Sequence, residues 1–271
     1  MFFASIFFPP PVSLSLNIIS VGMVVFAASL GYSEIKGKHM KYSKFWNFNS
    51  RSIKSAKTKE INISSKIGML LFYTPSFFAG LASLWLCPFE GFRFRLLTSA
   101  LTFHFFKRIF EVLFIHKYSG GMVLDSAIVV SLGYVITTTT MIYIQHLSRR
   151  EELILDQPTI DLKFVGIILF CLGISGNFYH HYLLSRMRRN GEKEYKIPTG
   201  GLFDKVVCPH YLFELIEFWG IFFISQTLYA FCNALGVTFY LMGRSYITRT
   251  WYLCKFEHFP KHVKALFPYI F

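Results

Sequence analysis

The chain has 271 residues, of which 53% are hydrophobic, 19% aromatic and 16% charged. A soluble domain carries about 25% charged residues, so this composition excludes an ordinary water-soluble fold and points to a single integral membrane domain. The formal net charge is +13, but Lys and Arg sit in loops between apolar runs, where they report membrane topology and argue against nucleic acid as a partner.

Several apolar runs reach the roughly 20 residues that cross a bilayer. The first predicted span covers 13–32. Pro9-Pro10-Pro11 precedes it with no basic leader, so it reads as a retained span and not a cleaved signal. The segment that follows is dense in Lys and reads as a solvated cytoplasmic loop able to lie against anionic lipid. The second span, 65–86, is interrupted by Pro75, with Ser76 and Gly80 nearby; such residues often mark a backbone that bends around a cavity. The third, 96–115, contains His104, Lys107, Arg108 and Glu111. His104, Arg108 and Glu111 fall on one helix face, and ionisable groups within a span are costly enough that they are expected to face the interior.

The fourth span is 123–143, with Thr137 to Thr140 able to bond back onto their own helix. The fifth is 164–184 and the sixth 207–226. The seventh, 228–241, is short and is expected to tilt or to form a hairpin with the sixth. The aromatic, basic tail reads as interfacial. Basic loops alternate with poor ones, which predicts an outside N-terminus and a cytosolic C-terminus. The five cysteines show no CxxC and no zinc spacing, and read as small apolar residues.

The stretch 177–218 organises the rest. Asn177, His181, Leu184 and Arg188 share one helix face, as do His210, Glu214 and Glu217 on the next helix. The loop between them carries Arg188, Arg189, Lys193 and Lys196, so two polar faces and a basic loop would form a cytosolic pocket for a polyanion. There is no GxSxG, GxGxxG, Walker loop or HExxH, and no βαβ pattern, so a nucleotide would bind inside the helical bundle. His180-His181 and His210-x-x-x-Glu214 invite a metal reading. Membrane di-iron sites need many more His and carboxylate ligands than this, so no metal is predicted.

The C-terminal half resembles the steroid 5α-reductase family, the 3-oxo-5α-steroid 4-dehydrogenases. The matching words are Asn177, LLSRMRRNGEKEYKIPTGGLF (183–203), ELIEFWG (214–220) and the ending FEHFPKHVKALFPYIF (256–271). HFFKR (104–108) resembles the family's third-span word and TPSF (74–77) its second-span proline word, and the run from HFFKR looks most like plant members.

The resemblance implies an all-α, polytopic membrane protein of about seven transmembrane helices enclosing a cofactor and substrate cavity. Residues 1–160 would be the substrate side and 161–271 the NADPH side. The implied enzyme sits in the endoplasmic-reticulum membrane and uses NADPH to reduce a carbon–carbon double bond conjugated to a carbonyl. Its substrate would be a hydrophobic enone, first a 3-oxo-Δ4-steroid, alternatively a trans-2-enoyl-CoA or polyprenol-type lipid. The implied cofactor residues are Arg108, Asn177, Arg188, Tyr195, Lys196, His210, Glu214, Arg244 and Tyr252, with Glu217 orienting its neighbours. Arg108, Arg188 and Arg244 suit phosphates.

The chain departs from the family at the carbonyl clamp. Tyr73 stands where steroid-reducing members have Glu, and Phe105 where they have Tyr. His210 and His181 stand where they have Asn and Asp. Tyr73 is therefore expected to supply the catalytic phenol, with His104 or Lys107 as second donor. The altered clamp also leaves a non-catalytic membrane scaffold as a rival from another class.

Overall fold

The computed structural model describes residues 5–10, 13–38, 61–118, 120–152, 158–187 and 196–271, with only the backbone of 149–152. Seven long helices stand out among these residues: α1 (Leu14–Ile35), α2 (Ser65–Leu86), α3 (Phe92–Phe110), α4 (Leu124–Glu152), α5 (Lys163–Arg186), α6 (Pro209–Ser225) and α7 (Leu228–Lys255). Four of them, α1, α2, α4 and α5, are long and apolar enough to cross a membrane. Residues such as Ile18, Val25, Leu132, Ile168 and Leu172 are largely exposed, a pattern that water would penalise and lipid accommodates. By contrast, α6 has 17 residues and α3 carries Arg93, Arg95, Lys107 and Arg108.

Local chemistry sets the ends of these helices. Ser64 caps α2, accepting from Ile67 N at 3.3 Å, and Thr227 caps α7, accepting from Ala230 N at 3.3 Å; each oxygen satisfies an otherwise orphaned donor. Pro209 opens α6, where its missing N–H costs nothing. A two-stranded antiparallel ribbon, β1 (Asn62–Ser64) and β2 (Gly121–Val123), pairs Ile63 with Met122 and ties the starts of α2 and α4 together. Between α3 and β2 the chain makes a π-helical turn, Glu111–Ile115, in which His116 N donates to Glu111 O at 2.7 Å. Such turns recur at functional sites because the extra residue re-aims a side chain.

α5 and α6 pack along most of their length, and glycine makes this possible. A Cβ on Gly173 would lie 2.3 Å from Glu217 N, and one on Gly220 2.5 Å from Phe170 N. Small residues at a membrane helix contact let backbones approach this closely. The contact sets Asn177 and Glu217 in a fixed relation.

The last helix is longer than the sequence expectation. α7 runs to Lys255 and does not stop at 241, because its polar second half is covered. Arg244 NH1 donates to Glu34 Oε1 of α1 at 3.0 Å, and Arg249 donates to the tail carbonyls of Val263 and Lys261 at 2.7 and 2.8 Å. The tail itself folds back onto the entry to α6. Val207 N donates to Lys264 O at 2.8 Å and Cys208 N to Ala265 O at 3.2 Å, and Leu266 is buried. Cys208 and Cys232 are buried, whereas Cys171 and Cys254 are exposed.

One end of the bundle is closed around Gln226, a left-handed residue (φ 53°) in the turn between α6 and α7. Its Oε1 accepts from Arg93 NH1 at 3.0 Å and Leu162 N at 2.9 Å; its Nε2 donates to Ile6 O at 2.6 Å and Ile160 O at 2.9 Å. Arg93 also donates to Ile224 O at 2.7 Å and to Asp161 Oδ1 at 2.6 Å. Burial pushes the Asp161 carboxyl up, but the Lys163 bonds and the Arg93 charge outweigh it and hold it at about 2.

Candidate active site

The other end of α3 holds the ionisable cluster. Glu111, fully buried, is its centre. Its Oε1 lies 3.1 Å from Lys107 Nζ and 3.0 Å from His181 Nδ1; its Oε2 lies 2.8 Å from Arg108 NH1. Arg108 NH2 donates to the Tyr73 hydroxyl of α2 at 2.7 Å. The proton of Tyr73 points at Met69 Sδ, 4.0 Å away, a weak acceptor that a carbonyl oxygen would outcompete. Lys107 also donates to Asn177 Oδ1, and Asn177 Nδ2 donates to His210 O at 2.8 Å.

A second pair lies one turn deeper. His104 Nδ1 donates to Glu217 Oε1 at 2.6 Å, with His104 nearly buried and Glu217 wholly so. The carboxylate fixes the ring orientation. Glu217 Oε2 has no hydrogen-bond partner among the described residues. A buried carboxylate oxygen left this way is costly, and it suits a donor brought by a ligand. Glu214, half-buried, has Arg108, His104, Glu217 and Lys107 as charged neighbours.

The structure therefore brings together Tyr73, His104, Lys107, Arg108, Asn177, His210, Glu214 and Glu217. Arg244 borders them through Tyr211, whose hydroxyl it bonds and whose ring lies 4.3 Å from that of His210. Tyr252 sits behind that layer, buried and stacked on Phe256 at 5.8 Å. Lys196 is exposed. Arg188 and Tyr195 lie outside the described residues.

Two residues named on their helix faces but not assigned to the site prove central: Glu111 and His181. The spacing of Glu111 from Lys107 and Arg108, four and three residues on, was the signal. His116 and Tyr118, in the loop after the π turn, had no periodic signal. The phenol of Tyr118 is pushed above its ordinary range by burial first and then by Tyr73, which places it at the same cluster. His180 has a structural role instead. Its Nδ1 donates to Gly176 O at 2.7 Å and its Nε2 accepts from Leu202 N at 3.1 Å, holding the Gly200-Gly201 turn.

Donor atoms of Glu111, His116 and His181 all lie within 4.8 Å of one another, a His-His-carboxylate set. Arg108 NH1 stands 3.1 Å from the same His181 Nδ1, and Lys107 shares the carboxylate, so two fixed cations oppose a divalent ion there. His181 Nδ1 can donate to Glu111 or accept from Arg108, not both, and its proton decides which.

These groups suit a polyanionic ligand. Arginines carry five donors each, and Arg108 and Arg244 arrive already countered by Glu111 and Glu34. The open Oε2 of Glu217 and the half-buried Glu214 offer acceptors for ribose or carboxamide donors.

Helices that present apolar faces outward and a buried ion network inward define a helical membrane protein with a polar internal site. Residues 121–271 match the family model described as 3-oxo-5-alpha-steroid 4-dehydrogenase, and the chain belongs to that family. It is 38% identical over 112 residues to human 3-oxo-5-alpha-steroid 4-dehydrogenase 2, covering 41% of this chain and 44% of that protein. It is 33% identical over 117 residues to human 3-oxo-5-alpha-steroid 4-dehydrogenase 1, covering 43% and 45%. It is 36% identical over 107 residues to steroid 5-alpha-reductase DET2 of Gossypium hirsutum, covering 39% and 42%. The matches thus span less than half the length of these relatives.

Proposed function

We propose that the protein is an NADPH-dependent reductase of a carbon–carbon double bond conjugated to a carbonyl in a membrane lipid, acting in the endoplasmic reticulum. The observation that carries this reading is the Tyr73 phenol held at 2.7 Å by Arg108 beside the buried Lys107–Glu111–Asn177 network. Residues 1–160 form the substrate side and 161–271 the cofactor side. The relatives' names make a 3-oxo-Δ4-steroid the first substrate to test, with trans-2-enoyl-CoA and polyprenol-type lipids next.

When bound, NADPH supplies the hydride for the β-carbon, and the displaced electron pair charges the carbonyl oxygen. Tyr73 O–H and Lys107 N–H donate to that oxygen. A donor preset in a dry site lowers the barrier because nothing reorganises as charge develops. The Arg108 bond to the phenol oxygen strengthens Tyr73 as a donor. His104, oriented by Glu217, is the alternative second donor at the deeper end of the site, and the α-carbon takes its proton from solvent when the enol returns to the ketone. Arg108, Arg244, Asn177 and His210 bind the cofactor, with Arg188, Tyr195, Lys196 and Tyr252 at its periphery and Glu214 accepting from its amide or ribose.

The test is thermal stabilisation of the purified protein by NADPH, against NADH and S-adenosylmethionine, followed by turnover of a 4-en-3-one steroid, an enoyl-CoA and a polyprenal. Stabilisation selective for NADPH and loss of the double bond in one substrate are expected. Stabilisation by S-adenosylmethionine alone, or NADPH binding with no reduction of any of the three, overturns the reading.

A further inference from the structure

α3 and α5 run side by side from the closed end to the ionic end, yet they touch little. The gap between them is a side-facing trough. One chamber, 570 Å³, is lined by Leu96, Ser99, Phe103, Phe106, Phe170 and Cys171 among others. A second, 360 Å³, is lined by Phe103, Phe106, Lys107, Ile174, Ser175 and Phe178 among others. Phe103 and Phe106 border both, with ring centroids 6.3 Å apart, and both are about half exposed.

Three features say what such a trough takes. It lies against α5, a helix long and apolar enough to cross a membrane, so its open side faces hydrocarbon. From Leu96 to Phe110 it follows about 21 Å of α3 at the helical rise, longer than half the ~30 Å apolar core of a bilayer. Its charged wall is at one end only. Among the described residues Lys107 Nζ bonds Asn177 and Glu111, which uses two of an ammonium's three donors.

We infer that this trough seats a linear hydrocarbon chain, entering sideways from the bilayer, whose carbonyl head takes the third donor of Lys107. An extended acyl chain matches the ~21 Å length of the trough, whereas a compact fused-ring body occupies only part of it. The lipid is a long-chain α,β-unsaturated carbonyl compound. This deepens the proposed reductase activity by choosing the linear class of substrate.

The probe is trans-2-hexadecenal carrying a diazirine near its chain end, with the protein in nanodiscs and NADPH. Ser99→Phe and Ser175→Phe each fill one chamber from a residue whose side chain already faces outward. The label is expected on α3 and α5 peptides around Phe103, Phe106 and Ile174. Both variants are expected to lose it and to raise KM for hexadecenal at least tenfold with kcat nearly unchanged, as removal of binding alone does. NADPH stabilisation reads the cofactor half separately. Label on the trough without turnover supports the trough and sinks the reductase reading. Label elsewhere, an unchanged KM in both variants, or turnover of a 4-en-3-one steroid but not of hexadecenal overturns the inference.

Discussion

At one end of α3, Arg93 reaches across to the α6–α7 turn and to Asp161; about 22 Å away along the same helix, Arg108 reaches Tyr73, Glu111 and His181. Both are partly buried guanidinium networks that join several helices. Around Arg93 the roles are all compatible: amide, carbonyl and carboxylate oxygens accept, and Gln226 uses both ends of its amide, at 2.6–3.0 Å. Around Arg108 they are not. One nitrogen of His181 faces both a carboxylate and a guanidinium, and an oxygen of Glu217 has no partner among the described residues. A network that closes on itself fixes a fold. One left partly open retains donors and acceptors for a ligand, at a cost in stability.

The sharpest way to break this contrast is Glu111→Gln. It leaves Lys107 and Arg108 buried without their shared counter-charge, which costs about 3–5 kcal/mol when one partner of a buried pair is removed. The melting temperature in detergent is expected to fall by many degrees and turnover to vanish, while Glu111→Asp retains part of both. A Glu111→Gln protein that melts with the wild type would show that the cluster is solvated and the contrast unreal.

Tyr73→Phe separates function from stability at the same end. Removing a hydrogen-bond donor from an oxyanion costs about 10²–10³ in kcat. Turnover should fall by that order, with stability lower by only about 1–3 kcal/mol for the Arg108 donor left without its acceptor and the rise of melting temperature with NADPH retained. A variant that loses stability but keeps its specific turnover would make Tyr73 a packing residue and hand the donor's role to Lys107.

Much of this architecture was legible in the chain. The bounds of α2 were readable to the residue because a capping serine precedes a mostly apolar run that Pro75 does not break. His104, Lys107, Arg108 and Glu111 of the third predicted span were readable because their cost in a span leaves only an interior explanation. What could not be read were pairings between distant segments. Nothing local links Glu34 to Arg244, 210 positions apart, and so the polar half of α7 looked like the end of a span. The π turn after Phe110 has no composition signature, so Glu111 was placed on the right face but not recognised as the common partner of α3 and α5. Gln226 marked only the end of the sixth predicted span, because its four partners come from 64 to 220 positions away.

Gln226→Asn tests the closed end. Asn tolerates the left-handed backbone but is one methylene too short to reach the same partners. Several bonds of about 1 kcal/mol each are weakened, so a loss of about 2–3 kcal/mol in stability is expected, with turnover per folded molecule unchanged. Equal loss of turnover would mean that the two ends of α3 are coupled and not independent.

The smallest effect is expected at Asp161, the half-exposed edge of the closed end. Its carboxyl sits at about 2, below its ordinary 3.8. A carboxyl depressed in the folded state adds stability above its unfolded value and loses it as pH falls through its folded value. Its bonds to Arg93 and Lys163 thus stabilise the protein fully above about pH 4 and progressively less down to about pH 2. With the side chain 42% exposed, solvent and salt screen most of that contribution, and less than about 1 kcal/mol remains. Asp161→Asn should lower the melting temperature by a degree or two at pH 7. The gap from wild type should close as pH falls from 4 toward 2. A gap that widens on acidification would mean that the carboxyl is protonated in the fold, and the Arg93 network would then depend on Gln226 and the Ile224 carbonyl.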